Sequence, residues 1–393
     1  MKQIVICDDE SGFAQDYVEK LSKLKAVCKV FAIKCLTPKE IKEQFAALGR
    51  RLEASRNAKK WPDDSIMMDE ISVFIIDFDL FKTNPFLTGE EVAYMVRSFS
   101  KCGLIVGLNL ESRKRVFPSY FDLTLRGHPE SFCDLNIDSA QLDNPGLWTD
   151  EWTGFRPWHW PQIPKYHELM EKKIACVSNN PTKPIVQLLQ FDQILQLFPG
   201  SALQFLGGNP AEVTFKEFVL RSGNGLRGKD ATTDEMVARI AAARVSKWLE
   251  RLVLPGQDIL VDAPHLVSRF PSLLEGDPKD LANWNKTADL SGNTVLPLEL
   301  EKIEAFSFKE SYWVSRPVWF WNRVYTSNKI KEVANPWKSV ETEFAFCEDS
   351  STFEKRELCR EFYATIDSPY NQRFIHAKPF DNVDYAPKVA LVQ

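Results

Sequence analysis

The sequence has few histidines, no closely spaced pair of cysteines and no long apolar run. Its five histidines include none at metal-ligand spacing from a cysteine, which argues against a histidine-rich metal centre. The eight cysteines are scattered without a C-x-x-C pair, so we expect reduced thiols rather than disulfides or a zinc site. The apolar runs are far shorter than the roughly 20 residues of a membrane span. No secretory signal stands at the N-terminus. We therefore expect a cytoplasmic protein without a membrane partner.

A surplus of positive charge is also missing. The net charge is −5 and the isoelectric point is near 5.7, so the chain has no general attraction to phosphate backbones and nucleic-acid binding is not expected. Hydrophobic residues make up 44% of the chain and charged residues 26%, which is typical of a globular protein. A length of 393 residues predicts two or three domains.

The first third of the sequence alternates between apolar runs and amphipathic segments. Strands are predicted at 4–7, 28–33, 71–77, 103–109 and 121–127. Helices are predicted between them, one capped by Thr37 with Pro38 in its first turn and another capped by Thr88. Strands that alternate with helices predict an α/β fold with a doubly wound, five-stranded parallel sheet.

Acidic residues follow the first and third predicted strands. Asp8, Asp9 and Glu10 end the first run, and Asp77 and Asp79 end the third. If these two strands are neighbours, the acids converge at the carboxyl edge of the sheet, where open α/β sheets bind ligands. Hard oxygen ligands of this kind suit Mg²⁺, which would offset the repulsion and let one carboxylate attack phosphorus. The alternative is that these acids are solvated caps of surface loops.

The stretches "IVICDDE", "VFIIDFDLF" and "TGEEVAYMVRSF" resemble, in this order and spacing, the receiver domain of bacterial response regulators, a flavodoxin-like fold. The resemblance covers about the first 130 residues. It implies that Asp8 and Asp9 bind Mg²⁺, with Asp9 the more direct ligand. It further implies that Asp77 binds the metal and is the phosphoacceptor, and that the backbone carbonyl of Asp79 is the third protein ligand. Gly89 matches the glycine that opens the family's third helix, although the loop before it is longer here.

Two positions depart from the receiver pattern. The family usually has threonine or serine at the end of strand four, where this sequence has Gly107, Leu108 and Asn109. The family also has a lysine after strand five, for which Arg126 is the best substitute as the phosphate's charge partner and His128 a poorer one. Arginine supplies the charge but not the geometry of lysine. The alternative is therefore a pseudo-receiver, a non-catalytic protein-interaction module that uses the same face.

Two enzyme classes compete with this interpretation. The D-x-D of "IIDFDLF" is also found in haloacid-dehalogenase-like phosphatases, but that family places its other acids later and usually has threonine or valine where Phe81 stands. The segment 223–230 satisfies the G-x-x-x-x-G-K pattern of nucleotide-binding loops. Asp230 replaces the hydroxyl residue that would hold Mg²⁺, and only a short segment separates this loop from the strand that ends at Asp262. Both classes are less favoured.

The remaining two thirds divide into three segments by pattern. We predict a structured linker rich in tryptophan and proline at 136–165, a mainly helical region at 166–275 and an α+β region at 276–393 after a receiver-like domain at 1–135. The clearest helix has a predicted capping box at Thr232 and Glu235, and "STFEKRELCREFYATI" is predicted to be helical. Asp262 and His265 form either an acid–base pair or a structural hydrogen bond.

The sequence therefore predicts an atypical response regulator that takes a phosphoryl group onto Asp77 from a histidine kinase or phosphotransfer protein. No basic helix-turn-helix is visible, so its output would be through an effector protein or through phosphate buffering rather than DNA binding. The layout after residue 136 is similar to that of receiver proteins from bacterial antiviral operons, which implies a role in antiphage defence.

Overall fold

The structure is a computed structural model. It describes residues 1–57, 65–80, 82, 87–109, 132–138, 148–150, 160–221, 233–288, 303–314, 316–328, 343–348, 350–362 and 373–377.

Strands and helices alternate in the N-terminal part. Its elements are β1 (Lys2–Cys7), α1 (Ser11–Ser22), α2 (Lys25–Cys28), β2 (Phe31–Cys35), α3 (Pro38–Arg56), β3 (Val73–Asp77), α4 (Gly89–Phe99), β4 (Leu104–Asn109) and β5 (Leu135–Asp138). The strands pair in parallel in the order β2-β1-β3-β4-β5. All five residues of β3 are buried, as expected for an apolar run in the middle of a parallel sheet. The mixed α/β class and the N-terminal parallel sheet are confirmed.

Two predicted strands differ in position. The strand predicted at 28–33 is wrong at its start, because Cys28 ends α2 and β2 begins only at Phe31. Val27 lies in this short helix and is fully buried, which explains why an apolar residue occurs at this position. The strand predicted at 121–127 lies outside the described residues. The strand that pairs with β4 comes later in the chain, in the short segment "LNID".

Capping boxes start α3 and α4, and their cap residues, Thr37 and Thr88, were predicted. Thr37 accepts a hydrogen bond from the backbone of Glu40, whose carboxylate accepts one in return from the backbone of Thr37. Thr88 and Glu91 repeat the arrangement at the start of α4. Each box satisfies N–H groups that the first turn of a helix leaves without a partner.

Short helices dominate the middle of the chain, and two small sheets, one antiparallel and one mixed, appear toward its end. The helices are α5 (Ile163–Asn179), α6 (Ile185–Leu188), α7 (Gly200–Leu206), α8 (Phe215–Arg221), α9 (Asp234–Trp248), α10 (Ala263–Arg269), α11 (Leu281–Thr287) and α12 (Trp321–Thr326). A π-helical turn at Leu249–Val253 continues α9. The strands are β6 (Leu260–Asp262), β7 (Val318–Phe320), β8 (Phe344–Cys347), β9 (Thr352–Lys355), β10 (Cys359–Phe362) and β11 (Arg373–His376).

Two further predictions are wrong. The cap of α9 is Thr233 rather than Thr232, because the Thr233 hydroxyl accepts the hydrogen bond from Met236. The segment "STFEKRELCREFYATI" is not helical in its described part, which contains β9 and β10. These strands lie at opposite edges of a sheet of order β10-β11-β8-β9, so pairing with distant residues overrides the local helical pattern.

A continuous hydrophobic core joins the N-terminal sheet to the helical region. The same cluster of buried side chains includes Ile75 of β3, Trp160, Val245 of α9 and Phe320 of β7. The predicted linker at 136–165 has four tryptophans, and Trp148 and Trp160 are described. Trp148 stacks between Tyr17 of α1 and the buried Trp160, at ring-centroid distances of 6.0 and 4.8 Å. These two tryptophans therefore pack against α1 through Tyr17.

No helix in the described ranges is long and apolar enough to cross a membrane. All eight cysteines lie in those ranges and are free thiols, as predicted.

Candidate metal centre

The carboxyl ends of β1 and β3 bring three carboxylates together. The two strands are neighbours, and Cys7 at the end of β1 pairs with Ile76 near the end of β3. Asp8 and Asp77 therefore leave the sheet side by side. Each of Asp8, Asp9 and Asp77 offers a carboxylate oxygen, and these oxygens lie within 4.8 Å of one another. The predicted convergence of the acids depended on β1 lying beside β3, and the structure has this order.

Burial makes this cluster electrostatically costly. Asp8 and Asp77 are each 4% exposed, and one oxygen of each, Oδ2 of Asp8 and Oδ1 of Asp77, has no hydrogen-bond partner in the described structure. Burial raises the pKa of Asp8 to about 6, with a further contribution from the charge of Asp9. Burial and then the charge of Asp8 raise the pKa of Asp77 to about 8, although the backbone N–H groups of Phe78 and Asp79 oppose this. The site thus favours either protons or a cation.

A cation fits the donors. Mg²⁺ binds oxygen at about 2.0–2.1 Å, so two oxygens on one ion lie about 3 to 4 Å apart. The carboxylate oxygens of the cluster, which lie within 4.8 Å of one another, are close to that spacing. The two unpartnered buried oxygens are the ligands that such an ion would satisfy. Asp9 is only half-buried, which gives the centre one accessible side.

Glu10, which the sequence places beside Asp8 and Asp9, and Lys82, which the sequence interpretation had not singled out, both contact this cluster. The backbone N–H of Glu10 donates to Oδ1 of Asp8 at 2.8 Å. The backbone N–H of Lys82 donates to Oδ2 of Asp9 at 2.6 Å, and its ammonium binds the carboxylate of Glu10 at 2.6 Å. Lys82 thus links the turn after β1 to the segment after β3. In the sequence, the position of Lys82 soon after "DFD" could have indicated that it lies near the acidic cluster.

Gly89 fits closely against the end of β3. A Cβ at this position would lie 2.0 Å from the carbonyl oxygen of Asp77, so only glycine is compatible with the observed backbone. The backbone N–H of Gly89 donates to the carbonyl of Phe78 at 2.8 Å. Asp79 forms a β-bridge with Thr88, the cap of α4. The start of α4 is therefore fixed to the acidic cluster. Metal binding by the Asp79 carbonyl stays a prediction.

The strand on the other side of β3 brings no hydroxyl to the cluster. Gly107 of β4 pairs with Ile76, and Leu108 pairs with Asp77. Asn109 ends β4 beside Asp138 of β5. Arg126 and His128 lie outside the described residues, and both precede β5 in the chain. The role of Arg126 as a phosphate charge partner stays a prediction.

Comparison with known proteins does not assign the chain. No protein-family model matches it. No curated protein and no solved structure is similar to it. The function must therefore be inferred from the site itself.

Asp262 and His265, the other candidate pair, make a buried contact. The Asp262 carboxylate caps α10 by accepting from the backbone of His265, and the imidazole Nδ1 lies 2.5 Å from the same oxygen. β6, which ends at Asp262, pairs antiparallel with β7. That pairing differs from the parallel arrangement of nucleotide-binding P-loop folds. The glycine-rich segment 223–230, including Asp230, lies outside the described residues.

Proposed function

We propose that the chain is an atypical response regulator that accepts a phosphoryl group on Asp77 from the phosphohistidine of a kinase or phosphotransfer protein. Asp8, Asp9 and Asp77 would hold Mg²⁺ in this proposal. The proposal includes a flavodoxin-like, doubly wound arrangement of the N-terminal sheet and its helices. The observation that carries it is the convergence of three carboxylates at one sheet edge, two of them with buried oxygens that lack a partner.

The raised pKa of Asp77 indicates what a bound cation would contribute to the reaction. At neutral pH an Asp77 carboxyl with a pKa of about 8 is largely protonated, and a protonated carboxyl is a poor nucleophile. Mg²⁺ supplies positive charge that lowers this pKa and neutralises phosphate oxygens. Asp8 and Asp9 would hold the ion, which leaves a carboxylate oxygen of Asp77 to react.

In the chemical step, that oxygen of Asp77 attacks the phosphorus of the donor, opposite the histidine nitrogen. A P–O bond forms as the P–N bond breaks, and the leaving imidazole takes a proton from solvent. The products are an aspartyl phosphate and neutral histidine. The new dianion would lie at the start of α4, because Gly89 packs against the Asp77 backbone. A change there can be passed to a bound effector.

Phosphorylation with a small donor tests the proposal. Purified protein is incubated with Mg²⁺ and acetyl phosphate and its intact mass is measured, with beryllofluoride and a thermal shift as the second readout. We expect one phosphoryl group per chain, its loss in Asp77→Asn and its loss in EDTA. The control is Asp16→Asn, which removes an exposed acid of α1 and should leave the modification unchanged. An unmodified wild-type chain under these conditions would overturn the proposal.

A pseudo-receiver is the second candidate, and the geometry beside Asp77 favours it in one respect. Gly107 and Leu108 have no hydroxyl that could respond to a phosphoryl group, so the signal would lack its usual reporter. An interaction module of this kind would bind its partner equally well as wild type and as Asp77→Asn. Capture of the same partner by both proteins, with no phosphorylation of either, supports this alternative. The role in antiphage defence stays a prediction under both candidates.

A further inference from the structure

A cavity of about 180 Å³ lies between the N-terminal sheet, the helical region and the C-terminal sheet, apart from the acidic cluster. An apolar cavity of about 150 Å³ is large enough for a benzene molecule. This one is instead lined by charged side chains from distant parts of the chain, among them Asp134, Lys173, Lys247, Glu250, Asp262 and Glu348. A polar cavity of this size suits a small charged ligand.

Lys173 of α5 is the most informative lining residue. Its side chain is buried, with 5% exposure, and burial lowers its pKa to about 8. Its ammonium donates to the hydroxyl of Ser246 at 2.6 Å, and that hydroxyl donates in turn to the carbonyl of Trp313. No carboxylate lies within 4.0 Å of this ammonium in the described part of the chain. An ammonium has three N–H donors, and the Ser246 hydroxyl is the one acceptor found for them among the described residues.

The acids of the cavity are already engaged by arginines. Asp134 pairs with Arg97, and Glu348 pairs with Arg373. Arg316 pairs with both Glu250 and Asp262, at 3.0 and 3.5 Å. Each acid that lines the cavity therefore pairs with an arginine, and Glu250 and Asp262 share Arg316.

Lys247 adds a second buried ammonium to the same lining. It is 4% exposed, and burial, together with the nearby charge of Arg251, lowers its pKa to about 7. The charge of Glu90, which does not line the cavity, raises the pKa values of Lys247 and Arg251 and so opposes the effect of burial. The charged lining consists of four basic side chains, Lys173, Lys247, Arg251 and Arg316, and four acidic ones, Asp134, Glu250, Asp262 and Glu348.

We propose that this cavity binds a small organic anion whose phosphate or carboxylate group is held by Lys173 and Lys247. An oxyanion offers acceptors to the buried Lys173 ammonium, whose acceptor in the described residues is the Ser246 hydroxyl. The proposal does not depend on the function proposed for Asp77, because it rests on different residues.

Titration with simple oxyanions tests the proposal. Thermal unfolding and calorimetric titration are measured in EDTA with inorganic phosphate, with malonate and with chloride at the same ionic strength. We expect saturable binding of phosphate or malonate but not of chloride. The stronger of the two anions identifies the charged group of the natural ligand.

Variants of two adjacent lysines separate binding from general salt effects, since phosphate stabilises many proteins without a specific site. Lys173→Met removes the buried ammonium and should weaken binding by about tenfold or more, the loss of one charge-assisted hydrogen bond. Lys172→Met removes the exposed lysine beside it, which pairs with Glu168, and should change nothing. Asp77→Asn should also bind normally. Equal responses from wild type and Lys173→Met, or no saturable response to either oxyanion, would overturn the proposal.

Discussion

Gly89 packs so closely against Asp77 that a Cβ at position 89 would lie 2.0 Å from the Asp77 carbonyl oxygen. The first turn of α4 is thereby fixed to the residue proposed to accept the phosphoryl group. The next residue, Glu90, accepts a hydrogen bond from the backbone of Phe132, just before β5. The end of β3, the start of α4 and the approach to β5 are therefore joined by direct contacts.

Replacing Gly89 should disturb both stability and the site. Gly89→Ala forces a backbone shift, for which we expect a loss of about 1–3 kcal/mol in the free energy of unfolding. Phosphorylation by acetyl phosphate should fall as well, because the shift moves Asp77. Urea unfolding and intact mass measure the two effects.

Gly49 provides a matched control for that substitution. It lies within α3, and nothing stands within 4 Å of where its Cβ would be. Gly49→Ala should therefore stabilise the protein by about 0.5–1 kcal/mol through helix propensity and leave phosphorylation intact. Equal behaviour of the two alanine variants would contradict the role of the Gly89–Asp77 contact.

The acidic cluster predicts a distinctive pH dependence in EDTA. Because the folded-state pKa values of Asp8 and Asp77 are raised, the folded protein keeps protons that the unfolded chain releases near pH 4. The contribution of these groups to stability is thus present at acidic pH and is lost as the pH rises toward about 8. The measurement is the free energy of unfolding in urea between pH 5 and pH 8.5.

Mg²⁺ and Asp77→Asn should each reduce the loss of stability that accompanies a rise in pH, for different reasons. The cation compensates the ionised carboxylates, so its stabilising effect should grow with pH. Asp77→Asn removes one buried charge and should raise the free energy of unfolding at pH 8 by about 1–3 kcal/mol without Mg²⁺. Asp16→Asn should keep the wild-type slope. Equal pH slopes of wild type and Asp77→Asn in EDTA would contradict the raised pKa of Asp77. This comparison cancels the opposite slopes expected from the buried Lys173 and Lys247, whose pKa values are lowered.

Thr88 and Thr37 allow the effect of a cap to be separated from the effect of its location. Each forms a capping box, so Thr→Ala at either position should cost about 1 kcal/mol of stability. Thr88 also bridges Asp79 beside the acidic cluster, whereas the α3 box has no such contact with it. Only Thr88→Ala should weaken Mg²⁺ binding, measured by calorimetric titration. Equal Mg²⁺ affinities of the two variants would argue against coupling between the α4 cap and the metal site.

Local signals account for the parts of the fold and site that the sequence predicted well. The capping boxes need only Thr37 or Thr88 and the glutamate three residues later. The acidic cluster needs only two buried apolar runs and the adjacency of β1 and β3. The C-terminal strands β9 and β10 were missed because their charged and apolar residues also fit a helical period, and pairing with β8 and β11 decides the outcome. The cavity could not be predicted, because residues as far apart as Asp134 and Glu348 meet only in the folded chain.

The buried ion pair between Arg373 and Glu348 beside this cavity gives the last prediction. Both side chains are nearly inaccessible, and Glu348 also lies 3.3 Å from Nε2 of His265. Arg373→Met leaves the Glu348 charge buried without its guanidinium, so we expect a loss of about 3–5 kcal/mol in the free energy of unfolding. Adding Glu348→Gln should restore part of that loss, because the uncompensated charge disappears while a hydrogen-bonding amide remains. Urea unfolding of both single variants and the double variant measures the coupling. The exposed pair of Lys172 and Glu168 is the control, for which the same cycle should give no measurable coupling. A double variant less stable than Arg373→Met would mean that Glu348 stabilises the fold through contacts other than this arginine.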